Sequence, residues 1–129
     1  MRKVLFCLFA IIFSQSVFAL KIIRIGEMGR MNIIPCHIHI EKIASKDSVL
    51  DYVLYGEEEL DMELSSGRYK ISVCTPVNEQ QNYLDTNTDW TSNVLDYTVG
   101  KDAEVLYIYP THNGHFYNGG WLISTEKKF

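Results

Sequence analysis

The sequence contains no apolar run of about 20 residues, which is the length that a helix needs to cross a bilayer of about 30 Å. Its longest apolar stretch covers residues 4–13 and follows the charged residues Arg2 and Lys3. Val17 and Ala19 then stand three positions and one position before a cut, which completes the layout of an export signal. We therefore expect residues 1–19 to be a cleaved signal peptide. Residues 20–129 would form one exported domain, periplasmic or secreted, without membrane insertion after cleavage.

Cysteine is scarce, with three residues in the whole chain. Cys7 lies in the expected signal peptide, which leaves Cys36 and Cys74 in the mature chain. An even cysteine count in a small exported domain predicts a disulfide between these two residues. Strand alternation places Cys36 on an apolar face and Cys74 on a polar one, but both stand at strand ends, where alternation often lapses.

Positive charge is also low. Twelve lysines and arginines stand against 16 acidic residues, and the net charge of −4 becomes −6 once Arg2 and Lys3 are removed. An acidic domain repels phosphate groups, which argues against binding to nucleic acid or to an anionic membrane surface. The same charge favours a basic protein partner.

Sequence patterns of catalysis are missing as well. The chain has no Gly-x-Ser-x-Gly elbow, no His-Glu-x-x-His helix and no phosphate-binding loop. We therefore expect a protein that is not an enzyme and that needs no cofactor. A catalytic pair that only folding brings together is left open, because such pairs are close in space and not in sequence.

What the chain does contain is segments that alternate apolar and polar residues, the pattern of a half-buried strand. The clearest segment covers residues 65–75, in which Tyr69, Ile71 and Val73 share one face. Residues 104–109 are apolar on both faces, which is typical of a central strand. Strands are also predicted over residues 21–25, 36–43, 49–55, 60–64, 94–99 and 121–124.

These strands, without a convincing helix, predict an all-β fold. We expect a single antiparallel β-sandwich of seven or eight short strands, immunoglobulin-like or prealbumin-like. Residues 57–64 are read as strand and not helix, because Gly56 and Gly67 leave room for barely two helical turns. Pro35 has no amide donor and suggests that the strand after it lies at an edge or carries a bulge. Residues 76–93 are predicted to be an irregular loop, and the predicted core face of residues 49–55 holds Leu50, Tyr52 and Leu54.

Two resemblances rest on short motifs. The pattern Leu-x-x-Gly-x-Tyr-x-Ile-x-Val, which runs from Leu64 to Val73, resembles the carboxypeptidase-regulatory, transthyretin-like and PEGA-type sandwich domains. This resemblance implies a β-sandwich. The run from Ser66 to Tyr69 is similar, though one residue shorter, to the Ser-Gly-x-x-Tyr loop of bacterial periplasmic lysozyme inhibitors, which implies inhibition of a partner enzyme.

Four histidines offer an alternative function. His37 and His39 project from the same face of one predicted strand, and His112 and His115 lie in one glycine-rich loop. Imidazole is a good ligand for zinc and copper. Their spacing matches no established zinc pattern, so metal binding in the periplasm is kept only as an alternative and no metal is assigned.

Protein binding is the remaining function, as in an inhibitor or an immunity protein directed at a partner enzyme or effector. Carboxylates crowd one turn and the strand after it, and aromatic residues lie in two of the predicted loops. Tyr and Trp are typical anchors for protein partners, and they also stack on sugars, so a carbohydrate-binding or cell-envelope accessory domain is a second alternative. The predicted partner-binding residues are Glu57, Glu58, Glu59, Asp61, Glu63, Phe116, Tyr117, Tyr83 and Trp90.

Overall fold

The alternating segments of the sequence form β-strands in the computed structural model, which describes residues 17–25, 33–46, 48–56, 58–80, 88–110 and 120–127. Within these ranges there are nine strands, a short 3-10 helix at Val77–Glu79 and no α-helix. The strands are β1 (Val17–Arg24), β2 (Cys36–Lys42), β3 (Ser48–Leu54), β4 (Glu59–Ser65), β5 (Arg68–Thr75), β6 (Trp90–Thr91), β7 (Leu95–Thr98), β8 (Val105–Pro110) and β9 (Trp121–Ser124).

The strands form two sheets. The first sheet has the order β4-β1-β8-β9, and the second has the order β3-β2-β5-β6, with β7 paired to β5 as well. Inward side chains from both sheets belong to one hydrophobic core, among them Ile22 and Leu106 from the first sheet and Ile38 and Ile71 from the second. The prediction of an all-β protein is therefore confirmed, and the two sheets are consistent with a β-sandwich.

One ladder differs from the expected antiparallel pairing. Strands β1 and β8 run parallel, with Lys21 beside Val105 and Arg24 beside Ile108. Parallel neighbours need a long connection, and here almost the whole domain lies between them in sequence. The predicted central position of residues 104–109 is correct, because β8 lies between β1 and β9.

The strand boundaries correct three further expectations. Nine strands occur in the described ranges instead of seven or eight, since β6 forms inside the segment that was predicted to be a loop. Of the two alternatives that Pro35 suggested for β2, an edge is wrong, because β2 is interior to its sheet, whereas a bulge agrees with the register shift in its ladder with β3 between Ile40 and Glu41. Strand β1 covers Val17–Arg24 instead of residues 21–25, and Val17, Phe18 and Ala19 pair with the end of β4. The prediction that residues 1–19 are a signal peptide stays a prediction.

The chain crosses from the first sheet to the second between β4 and β5, through the two residues Ser66 and Gly67. Gly67 has φ +142°, which a residue with a side chain rarely adopts. The buried Tyr69 secures this corner, because its hydroxyl donates a 2.7 Å hydrogen bond to the carbonyl of Ser65, four residues back. The segment that was predicted to be the clearest strand is thus β5, and its Tyr69, Ile71 and Val73 are all buried.

Arg24 is buried in the core with only 2% of its surface exposed. Its Nη1 donates to the carbonyl of Ile34 at 2.6 Å and to the carbonyl of Leu54 at 2.9 Å. Its guanidinium carbon also lies 4.8 Å from the ring centre of Trp121. A buried cation is tolerated when acceptors and an aromatic face replace its water, so Arg24 links β1 to the residues around β2 and β3 and to β9.

A second buried chain of hydrogen bonds joins the two sheets beside Arg24. The indole nitrogen of Trp121 donates to Thr75 Oγ1 at 2.8 Å, and the Thr75 hydroxyl donates to the carbonyl of Pro35 at 2.6 Å. In the described part of the chain, every fully buried side-chain nitrogen and oxygen has a hydrogen-bond partner. The polar groups at this end of the core therefore fix how the sheets are aligned.

We expect Tyr69→Phe to lower the free energy of unfolding by about 1–2 kcal/mol, because the variant leaves the Ser65 carbonyl without its donor at the corner. Urea unfolding followed by circular dichroism measures the change. Tyr52→Phe is the matched control, since Tyr52 is 43% exposed and should change little. Equal effects of the two substitutions would contradict the role of the corner.

Replacing Arg24 with Met should lower the free energy of unfolding by about 3 kcal/mol, because two buried carbonyls lose a charged donor. Lys21→Met is the control: it removes the same charge from the same strand, but on the outer face, where an ion pair contributes less than about 1 kcal/mol. Thermal and urea unfolding of both variants give the comparison. A loss for Arg24→Met no larger than that for Lys21→Met would show that the buried guanidinium does not align the sheets.

Candidate binding surface

The predicted acidic patch lies on β4, at the edge of the first sheet. Glu59, Asp61 and Glu63 point away from the core and are exposed. Lys21 Nζ on the neighbouring β1 lies 3.3 Å from Glu59 Oε1 and 3.8 Å from Asp61 Oδ1. The hydrogen bond to Glu59, together with the charges of Asp61 and Glu59, raises the pKa of Lys21 above its ordinary value. Among these residues one ammonium group faces three carboxylates, so the surface is negative.

An open cavity of about 460 Å³ lies beside this acidic row. Sequence reasoning did not select one of its carboxylates, Glu104, which immediately precedes β8. Only the parallel pairing of β1 with β8 brings Glu104 to the acidic row, and no local sequence signal shows that pairing. The cavity is lined by Ala19, Leu20, Lys21, Asp61, Met62, Glu63, Glu104 and Val105.

At one end of the two sheets, the last residues of four strands lie beside the first residues of four others. We call this end the loop end. It is the end that contains the Arg24 network. The ladders align the strand termini there: Ile23 pairs with Glu59, Pro110 with Trp121, Cys36 with Leu54 and Thr75 with Trp90. The segments 25–35, 55–58, 76–89 and 111–120 therefore all connect strands at the loop end.

Predicted binding residues that are far apart in the sequence belong to segments that start or end at the loop end. Glu58 and Glu59 are described and exposed, and the backbone amide of Arg24 donates to the carbonyl of Glu58. Tyr83, Phe116 and Tyr117 lie outside the described residues, as does Glu57. The residues that flank their segments lie at the same end of the sheets as Glu58 and Glu59.

Trp90 is not a surface residue, and its predicted role in partner binding is wrong. It is 1% exposed and packs edge-on against Trp121, with ring centres 6.4 Å apart and an angle of 64° between the rings. The two-residue strand β6 pairs Trp90 with Thr75 and turns its side chain into the core. So short a strand has no visible alternation in the sequence, which is why this residue was assigned to a loop.

The two described histidines lie on the outer face of the second sheet, each next to a carboxylate. His37 Nε2 is 2.8 Å from Oε1 and 3.1 Å from Oε2 of Glu79, and His39 Nδ1 is 2.7 Å from Asp51 Oδ1. No three His, Cys, Asp or Glu side chains of the described residues are grouped closely enough to hold a metal ion. The other two predicted ligands, His112 and His115, lie outside those residues.

Cys74 lies opposite His37 in the ladder between β2 and β5, and His37 in turn contacts Glu79. A thiol next to an imidazole that in turn contacts a carboxylate has the parts of a nucleophilic triad. However, burial and then the charges of Asp89 and Glu79 raise the pKa of Cys74, whereas a nucleophilic cysteine has a lowered pKa. The pKa shift of Cys74 is thus opposite to the shift that activates a cysteine nucleophile.

The predicted disulfide is not present, since Cys36 and Cys74 are both free. Cys74 pairs with His37, the residue next to Cys36, so the two cysteine side chains point to opposite faces of the sheet. Cys36 is fully buried in the core, and burial raises its pKa to about 12. The expectation failed because alternation holds up to the ends of both strands.

Sequence reasoning also missed a group of exposed apolar residues at the edge of the second sheet. Tyr52, Val53 and Tyr55 are 43%, 36% and 48% exposed. Tyr52 was predicted to face the core, and it does lie beside Ile38 on the inner face. It stays exposed because β3 is the last strand of the order β3-β2-β5-β6, a position that alternation alone does not reveal.

Comparison with known proteins gives no family. No protein-family model matches the sequence, and no curated protein matches it. The resemblances carried by residues 64–73 therefore remain expectations. Within the part of the chain that the structure describes, no helix is long and apolar enough to cross a membrane.

We expect Cys36 and Cys74 to react with a thiol reagent without prior reduction, and at very different rates. At pH 8 in the native protein Cys74 should be labelled first, because it is partly exposed, whereas Cys36 is buried and scarcely ionised with a pKa of about 12. Peptide mapping by mass spectrometry identifies the labelled residue. After unfolding in urea, again without reductant, both should react at similar rates. If neither is labelled until a reductant is added, the two residues form the disulfide after all.

Proposed function

We propose that this chain is an exported protein-binding domain, such as an inhibitor or an immunity protein, that binds its partner at the loop end. The observation that supports this most is the common location of two features. The acidic start of β4 and the bases of segments 76–89 and 111–120 lie at one end of the two sheets. An immunoglobulin-like or prealbumin-like sandwich with its binding loops at one end is part of the same proposal.

Distances across the first sheet agree with a single contact surface. Neighbouring strands lie about 4.8 Å apart and residues rise about 3.3 Å along a strand. Glu59 on β4 and Trp121 on β9 are three strands apart and three residues out of register, so they are separated by roughly 17 Å. A standard protein interface covers about 800 Å² on each partner, which is wide enough to include both. One partner can therefore contact the acidic turn and the loops together.

The bases of the loops are rigid, which suits a binding surface. Trp90 and Trp121 pack against each other, and Thr91 bridges to Gly120, so segments 76–89 and 111–120 end side by side. The indole nitrogen of Trp121 donates to Thr75, and the guanidinium of Arg24 lies over the Trp121 ring. Loops on a rigid base carry binding residues in many scaffolds, because sequence changes there leave the core intact.

The charge at the loop end favours a basic partner. Glu58 and Glu59 are both exposed there, and the whole chain has a net charge of −4. Exposed carboxylates attract a basic protein over about 10 Å at ordinary salt and so raise its association rate. Aromatic residues that become buried in the interface then limit the dissociation rate.

A pull-down from periplasmic extract with the purified protein as bait, analysed by mass spectrometry, identifies the partner. We then expect Glu58→Gln with Glu59→Gln to slow association several-fold and to flatten its dependence on salt, with dissociation unchanged. Asp61→Asn with Glu63→Gln is the matched control, since it also removes two exposed carboxylates, but from positions on β4 further from the loop end. Surface plasmon resonance at several salt concentrations gives both rate constants.

Phe116→Ala and Tyr117→Ala should act on the other rate constant. Each should speed dissociation by about 30-fold, the factor that corresponds to about 2 kcal/mol, and should leave association nearly unchanged. Far-UV circular dichroism confirms that these variants fold. If neither the acidic variants nor the aromatic variants change binding of the identified partner, the partner does not bind at the loop end.

A further inference from the structure

We infer that the export signal is cleaved between Ser16 and Val17, so that the mature chain begins with the first residue of β1. The expected cut after Ala19 would instead fall inside that strand. Cleavage at either place presupposes export, which is part of the proposed function. The residues that decide between the two cuts lie at the end of the sheets opposite the loop end.

The three residues between the two cuts belong to the ladder of β1 with β4. They form three of the seven pairs in that ladder: Val17 with Ser65, Phe18 with Leu64 and Ala19 with Glu63. In the described ranges β4 is the edge of its sheet and pairs with β1 alone. A cut after Ala19 would therefore leave the last three residues of β4 without a strand partner, directly before the corner that leads to β5.

Phe18 is the side chain that the core would lose. It is half-buried and packs against the hydrophobic core. Its ring also lies against the turn at Gly100, where a Cβ atom would be 3.4 Å from Phe18 Cε1, an ordinary van der Waals distance. Gly100 stands between β7 of the second sheet and β8 of the first, so the ring covers a place where the chain passes between the sheets. Removal of Phe18 would expose apolar surface there.

The new amino group also distinguishes the two cuts. Cleavage leaves an amine on the first residue of the mature chain, and most of this amine is protonated at neutral pH. Leu20 is 2% exposed and its side chain lies in the core, whereas Val17 is 57% exposed. A charge beside the core loses hydration, which costs free energy, but a charge at Val17 stays in water. The folded domain therefore accommodates an amino terminus at Val17 better than one at Leu20.

The sequence meets the requirements of signal cleavage at both places. An export signal has small residues three positions and one position before its cut. Ser14 and Ser16 hold these positions for a cut before Val17. Val17 and Ala19 hold them for a cut before Leu20. At the third position before the cut serine is smaller than valine, so the sequence permits the cut that the fold favours.

The test is the amino terminus of the exported protein. The full chain, with an affinity tag after Phe129, is expressed in a Gram-negative bacterium, purified from the periplasmic fraction, and analysed by N-terminal sequencing and intact mass. We expect a product that begins at Val17. A product that begins at Leu20 is lighter by one valine, one phenylalanine and one alanine residue, so the two are distinguished by mass.

Ser16→Leu and Ala19→Leu form a matched pair, since each places a large residue directly before one of the two cuts. Ser16→Leu should abolish the product that begins at Val17. Ala19→Leu should leave that product unchanged, and the fold should accept it because Ala19 is exposed on the outer face of the first sheet. Loss of processing in Ala19→Leu would overturn the inference.

Unfolding in urea checks the packing independently of processing. In the chain that begins at Val17, Phe18→Ala should lower the urea concentration of half-unfolding, because the contacts of the ring with the core and with Gly100 are lost. Val17→Ala is the control and should leave this concentration unchanged, since Val17 is mostly exposed. Equal results for the two variants would show that Phe18 is not part of the core, against the inference.

The outcomes separate the cut from the proposed function. An exported product that begins at Leu20 would overturn the inferred cut and leave the protein-binding function standing. A chain that stays inside the cell with Met1 in place would contradict both the cut and the export. The rate constants of the loop-end variants test the binding surface alone, because Val17–Ala19 lie at the opposite end of the sheets.

Discussion

A guanidinium group that is buried away from water needs hydrogen-bond acceptors in fixed positions. This requirement determines how the strand ends are arranged around Arg24. Arg24 satisfies it with the carbonyls of Ile34 and Leu54 and with the face of Trp121. These groups come from three separate stretches of chain. Arg24 can be buried only when all three are in place, so the ends of β1, β3 and β9 and the entry to β2 are held in one arrangement.

The fixed end also provides the base of the proposed binding surface. Thr75 and Arg24 both contact Trp121, which begins β9 where segment 111–120 ends. Loops on a well-packed base can change in sequence while the core stays intact, so the loop end combines variable connections with one fixed arrangement of strands.

Much of the fold could be predicted from local pattern. Alternation located β5 and the inward side of Tyr69, because the period of a strand is a local property of the chain. The strand neighbours could not be predicted this way. Whether Tyr52 is buried depends on β3 being the last strand, and the position of Glu104 depends on the parallel pairing of β1 with β8. Trp90 was misjudged for a different reason: β6 is too short to show a period, and its place is fixed by packing against Trp121.

The parallel ladder between β1 and β8 also governs when this protein can fold. Strand β1 lies between β4 and β8, and its residues Lys21–Arg24 find their partners on the β8 side only when residues 105–108 are available. Contacts between distant parts of a chain form slowly, since a long loop must close before any hydrogen bond is gained. The second sheet and the ladder of β1 with β4 need no residue beyond β7, but the first sheet is complete only when β8 and β9 have joined it, and the core that both sheets share closes with them.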